Sequence, residues 1–98
     1  MNEKNKIIGK LINIKNIGPK MAEKLYNAEI YNIDSMQKVG TEDVYLKIDE
    51  SGGFCGVHNA VYLYAIEGAI TDCSWADIPE ERKRELKDFT KTLRGSIR

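Results

Sequence analysis

The sequence predicts an all-α domain, a small orthogonal bundle of about five main helices joined by short loops. Three observations carry that expectation. No stretch alternates apolar and polar residues over a strand's length ahead of a hairpin turn. Apolar residues instead recur at three- and four-residue spacing in segment after segment. The two prolines, Pro19 and Pro79, both stand where a helix would begin. The 98 residues, 42% apolar and 31% charged, suit one domain over residues 1–98 with one modest core. Little volume is left for an enclosed active-site cavity.

Taken in order, Lys4 to Ile14 places Ile7, Ile8, Leu11 and Ile14 on one helical face, and Asn16-Ile17-Gly18 ends it. Pro19 opens a second helix with a stripe of Met21, Ala22 and Leu25, running to about Ala28. Asn32 reads as the N-cap of a short third helix with Ile33, Met36 and Val39, closed by Gly40. Thr41 is expected to cap the next helix, with Glu42 and Asp43 in its first turn and Val44, Tyr45 and Ile48 inward.

Ser51-Gly52-Gly53 is the clearest break. Val57 to Ile70 then carries one formal charge, Glu67, and so reads as a central helix buried nearly all round. Ala60, Ala65, Gly68 and Ala69 would let neighbours approach it closely. Trp75, between two helices with Ile78, reads as a buried anchor. The last helix is expected from Pro79, with Leu86, Phe89 and Leu93 on one side. Lys83, Lys87, Lys91 and Arg94 fall within an arc of about 80° on another, as a solvated or partner-binding stripe.

Formal net charge is zero, but its distribution is uneven. Residues 1–24 sum to +4, residues 25–77 to −7 and residues 78–98 to +3. A neutral total argues against strong nonspecific nucleic-acid binding, while basic ends leave room for a local phosphate-binding face. No apolar run approaches the ~20 residues of a membrane span. The charged start, Met1-Asn2-Glu3-Lys4-Asn5-Lys6, does not resemble a secretory signal, so a cytoplasmic location is expected. Cys55 and Cys73 then read as free thiols. Cys55 and His58 could supply half a zinc site, but with Cys73 the only other obvious ligand, no metal is expected.

The segment richest in chemistry is Leu11 to Leu25. A helix, a tight turn and a second helix form an αα-hairpin, with Gly18 available for positive φ or a close backbone approach. The turn offers free N–H groups at the start of a helix, where the dipole favours an anion, and Lys20 adds a cation. This stretch resembles a helix-hairpin-helix unit. Asn16 stands where that family has the first of two hairpin glycines, so Gly18 alone carries over. The resemblance implies a DNA phosphate site at Lys15, Asn16, Gly18, Lys20 and Lys24. The alternative is a hairpin that only packs helices and docks a partner.

A wider resemblance covers residues 11 to 90. Asn16-Ile17-Gly18-Pro19-Lys20, Tyr31-Asn32-Ile33-Asp34-Ser35-Met36, Val39-Gly40, Tyr64-Ala65-Ile66-Glu67-Gly68-Ala69-Ile70 and Trp75 resemble the C-terminal domain of the TfoX/Sxy family. That family is associated with regulating competence for DNA uptake, and its full-length members carry a separate N-terminal domain. The resemblance implies a stand-alone copy here, acting as a regulatory DNA-binding module in transcription.

Glu67 is the conspicuous titratable group. A carboxylate on a buried helix can act as acid or base, but no partner for it is evident and His58 lies out of phase. Accepting N–H bonds from a neighbouring helix or loop is the expected role. Tyr26, Tyr31, Tyr45, Tyr62 and Tyr64 read as core or near-core residues rather than a base-stacking platform. No nucleophile triad, paired-carboxylate cleft, Walker loop or dinucleotide fingerprint is found. The expectation is a binding module without enzymatic activity, cofactor or small-molecule substrate. Its partner is either DNA, held at the turn, or a protein, with no nucleic-acid contact.

Overall fold

The computed structural model describes residues 3–54 and 59–95, with the side chains of Trp75 and Arg94 outside that description. Cys55 and His58, and with them the half zinc site, also lie outside it. The described residues form six α-helices rather than about five, the expected short third helix counting as a full element. They are α1 (Glu3–Ile12), α2 (Pro19–Asn27), α3 (Ile33–Val39), α4 (Thr41–Glu50), α5 (Ala60–Thr71) and α6 (Glu80–Gly95). A 3₁₀ turn, Trp75–Asp77, joins α5 to α6, and no described residue is in a strand.

Local chemistry accounts for most helix ends. Asn32 caps α3 by accepting the Ser35 N–H at 2.8 Å, and Asn59 caps α5 by accepting the Val61 N–H at 2.9 Å. Gly40, at φ 91°, serves two helices. Its N–H closes α3 on the Met36 carbonyl, and its carbonyl accepts the first α4 bond from Val44. Thr41 therefore does not cap α4. It is the first residue of that helix, and its hydroxyl is used elsewhere.

Three helices end in the same way. In α2, α4 and α5 a residue just past the end turns left-handed: Glu29 at φ 64°, Gly52 at φ 84° and Asp72 at φ 56°. The next N–H then reaches back to a carbonyl in the last turn: Ile30 to Leu25, Gly53 to Ile48 and Cys73 to Gly68, each at 2.9 Å. Each of these bonds satisfies a carbonyl that the helix leaves open. Only one of the three positions is glycine, which is why sequence inspection marks only the Ser51-Gly52-Gly53 break. α1 stops two residues earlier than expected, since Asn13 and Ile14 already bond three residues back, and α6 starts one residue after Pro79.

The core joins all six helices. Leu11, Met21, Ala22, Leu25, Met36, Val44, Tyr45, Ile48, Leu63, Ile66 and Leu86 are buried, with Ile17, Ile30 and Phe54 from the loops. Phe54 joins it without a periodic signal in the sequence. Its ring stacks on Tyr45 at 4.4 Å and lies 4.8 Å from Tyr62, an aromatic row completed by Phe89 at 6.3 Å edge-on to Tyr45. The Tyr45 hydroxyl accepts the Asn59 N–H at 3.1 Å, tying the row to the start of α5. Two expectations need correction: Val61 leaves α5 exposed on one side at 54%, and Tyr31 is a surface residue at 40%. Among the described residues no helix is long and apolar enough to cross a membrane.

Close approach at α5 is concentrated at Gly68. A methyl group there would run into the Asn16 side-chain amide and lie 2.7 Å from the Cys73 carbonyl oxygen. Gly68→Ala should therefore cost about 1–3 kcal/mol, the range for overpacking a well-filled contact. Urea unfolding followed by circular dichroism checks this; an unchanged midpoint would mean that the turn can move aside.

Candidate functional site

Of the five residues expected to hold phosphate, Lys15, Asn16, Gly18 and Lys20 lie at the α1–α2 turn and Lys24 in the last turn of α2, and the fold uses them in two different ways. Asn16 takes the left-handed conformation at φ 70°, which asparagine tolerates better than most residues. Its amide donates to the Cys73 carbonyl at 2.8 Å, across the loop after α5. Lys24, half-buried on α2, donates to the Gly53 carbonyl at 2.7 Å. Both side chains thus position the turn on the rest of the domain and point away from solvent.

Lys15, Gly18 and Lys20 are exposed. Gly18 is the N-cap of α2 with φ −92° and ψ −178°, extended backbone that any residue adopts. A Cβ there would meet nothing within 4 Å. The expectation that Gly18 supplies positive φ or a close approach is therefore corrected: the left-handed residue of this turn is Asn16. No side chain caps α2, Pro19 has no N–H, and no hydrogen bond among the described residues takes up the Lys20 and Met21 amides. Two N–H groups at the positive end of the helix dipole are thus left without a hydrogen-bond partner among the described residues, beside the exposed Lys20.

The strongest polar cluster is elsewhere, where α4, α5 and α6 meet. Arg82 donates through both terminal nitrogens to Glu42 at 2.9 Å each, to Glu67 Oε1 at 3.1 Å and to Glu85 at 3.0 Å. Glu67 Oε1 also accepts the Thr41 hydroxyl at 2.6 Å. Glu67 is thus a partner of a guanidinium and a hydroxyl rather than of backbone N–H groups. Its partner was not legible because Arg82 lies fifteen residues away on another helix. The bond from Arg82 holds the Glu42 carboxyl below its ordinary value, against burial, and the same bond raises the Arg82 guanidinium still further.

The outer side of α6 has the opposite character. A groove of about 460 Å³ between α5 and α6 is lined by Tyr64, Lys83, Arg84, Lys87 and Lys91, with Glu80 and Asp88 among them. A second groove, of about 530 Å³, runs between α3 and α4 past Lys38, Val39, Asp43 and Lys47. At the far end of α2 the Tyr26 and Tyr31 rings pair at 5.3 Å, with the Lys4 ammonium 5.6 Å from the Tyr26 ring. Cys73 is half-buried, its sulfur 3.1 Å from the Thr71 hydroxyl. Among the described residues no three His, Cys, Asp or Glu side chains group as metal ligands.

The family model for the TfoX C-terminal domain matches residues 8–90. The chain belongs to the TfoX C-terminal domain family. An uncharacterized protein from Listeria monocytogenes, seen in a triclinic crystal form, is similar to this TfoX C-terminal domain at 33% identity and a TM-score of 0.79. That match covers 87% of this chain and 93% of the other. No curated protein matches it. The matched span runs from within α1 to within α6 and takes in the positions of the Asn16 turn, Gly68 and the Arg82 cluster.

The Arg82 cluster has a definite pH signature. Because the Glu42 carboxyl is depressed in the fold, its contribution is fully present above the ordinary value of 4.5 and is lost as pH falls through the lowered folded value. Glu42→Gln should be less stable than the parent at neutral pH, and the two urea-unfolding profiles should converge on acidification below about pH 4.5. Arg82→Met, which leaves Glu67 at 14% exposure without its cation, should cost about 2 kcal/mol. A pH-independent difference for Glu42→Gln would contradict the charged pairing.

Proposed function

We propose that this TfoX C-terminal domain is a regulatory binding module without catalytic chemistry, which holds the DNA backbone at the α1–α2 turn. The observation that carries the reading is the exposed, uncapped start of α2, with the Lys20 and Met21 amides open beside the Lys20 ammonium. Lys15 is exposed on the same turn. Asn16 and Lys24 contribute by fixing the turn against Cys73 and Gly53, not by touching the ligand. An anion at such a helix start is favoured by both the dipole and the open N–H groups. On this reading the module works in the cytoplasm, in regulating competence for DNA uptake at the level of transcription.

The inward use of Asn16 and Lys24 also favours a second reading, in which the hairpin is a structural element and the domain docks on a protein. The two readings separate in a titration of a short fluorescent DNA duplex followed by anisotropy at several salt concentrations. The first expects binding that weakens with salt, and Lys20→Glu should lower the slope of log affinity against log salt by about one. Binding with an unchanged slope in Lys20→Glu would remove the turn from the contact. No binding even at low salt would leave the protein partner as the function.

A further inference from the structure

The turn at α2 is one cationic feature of the molecule, and the groove between α5 and α6 is another. Arg82 separates the charges of this region. Of the carboxylates on α4, α5 and α6, it draws Glu42, Glu67 and Glu85 to its own side of α6. None of them is then available to the lysines one residue and more further round the helix. Lys83, Arg84, Lys87 and Lys91 make no ion pair among the described residues, and these four cations share the groove with only two carboxylates, Glu80 and Asp88.

Their arrangement is linear. Lys83, Lys87 and Lys91 succeed one another at four-residue intervals, which sets them about 6 Å apart along α6 and turns each only about 40° from the last. A helix presenting cations in such a row matches a ligand with negative charges repeated along a line, and an isolated anion would engage only one of them. Tyr64 on α5 forms part of the facing wall. Lys87 and Lys91 are exposed, so their charge is available without rearrangement of the core.

We propose that this groove is a second track for a DNA phosphate backbone, in which Lys83, Arg84, Lys87 and Lys91 contact successive phosphates of duplex DNA. The inference rests on the DNA reading above, but it uses a different surface from the α1–α2 turn and can fail separately. Contacts of this kind carry no base specificity; they add affinity and fix orientation.

The test is the same anisotropy titration with the full chain and the short duplex, using the paired variant Lys87→Glu with Lys91→Glu. Both positions are exposed, and circular dichroism checks that the helix content is retained. The salt slope should fall by roughly two, one for each phosphate that is no longer neutralised. Lys38→Glu with Lys47→Glu, at the α3–α4 groove, makes the same change in net charge away from the proposed track and should leave the slope near the parent value. Equal slopes in the two paired variants would overturn the track and leave only a net-charge effect. A slope lowered by Lys87→Glu with Lys91→Glu but untouched by Lys20→Glu would keep the track and remove the turn. Absence of duplex binding by the parent chain at low salt would overturn both.

Discussion

Arg82 sits where α4, α5 and α6 come together, and its guanidinium is shared among Glu42, Glu67 and Glu85. Helices α4 and α5 could slide past each other on an apolar contact with little penalty, because apolar packing is non-directional. A bidentate Arg–carboxylate pair is directional. Glu67 adds a second constraint by accepting from both Arg82 and Thr41, so one carboxylate oxygen relates the start of α4, the middle of α5 and the first turn of α6. Glu67, the only charge on α5, is thereby satisfied within an otherwise apolar helix, as a buried carboxylate must be.

A second polar contact does for α1 and α2 what Arg82 does for the other end. The Asn16 amide reaches the Cys73 carbonyl over the bare backbone of Gly68, so the hairpin is set against α5 by a hydrogen bond that needs the absence of a side chain. The left-handed Asn16 makes this reach available and at the same time turns the chain toward Pro19. Stability and presentation are therefore linked at the turn: the residues that hold it down take up none of the Lys20 and Met21 amide hydrogens at the exposed start of α2.

Charge is sorted by the same contacts. A chain with zero formal charge ends with three of its fifteen carboxylates drawn to the junction of α4, α5 and α6, while lysines remain on the outer face of α6 and beside the α2 start. Composition alone describes an electrostatically bland protein. The fold makes two local cationic surfaces from it, because Arg82 binds several acids at once and the acids it holds cannot neutralise lysines on the other side of the same helix.

Much of this was legible in the residues. Helical period, Pro19, the Asn32 cap, Gly40 and the Ser51-Gly52-Gly53 break determined the all-α class and most boundaries, because those signals act over a few neighbouring residues. The ordered series from Asn16 to Trp75 determined the family. Three things were decided only by the tertiary structure. Glu29 and Asp72 terminate helices in a left-handed conformation that glycine usually supplies, held there by the bonds and packing that follow them. Asn16 and Lys24 turn inward to carbonyls 57 and 29 residues away. Glu67 finds Arg82 and Thr41, while Lys83, Lys87 and Lys91 make no ion pair among the described residues. Each of these depends on which groups are brought together across the chain, and spacing along the sequence carries no information about distances between helices.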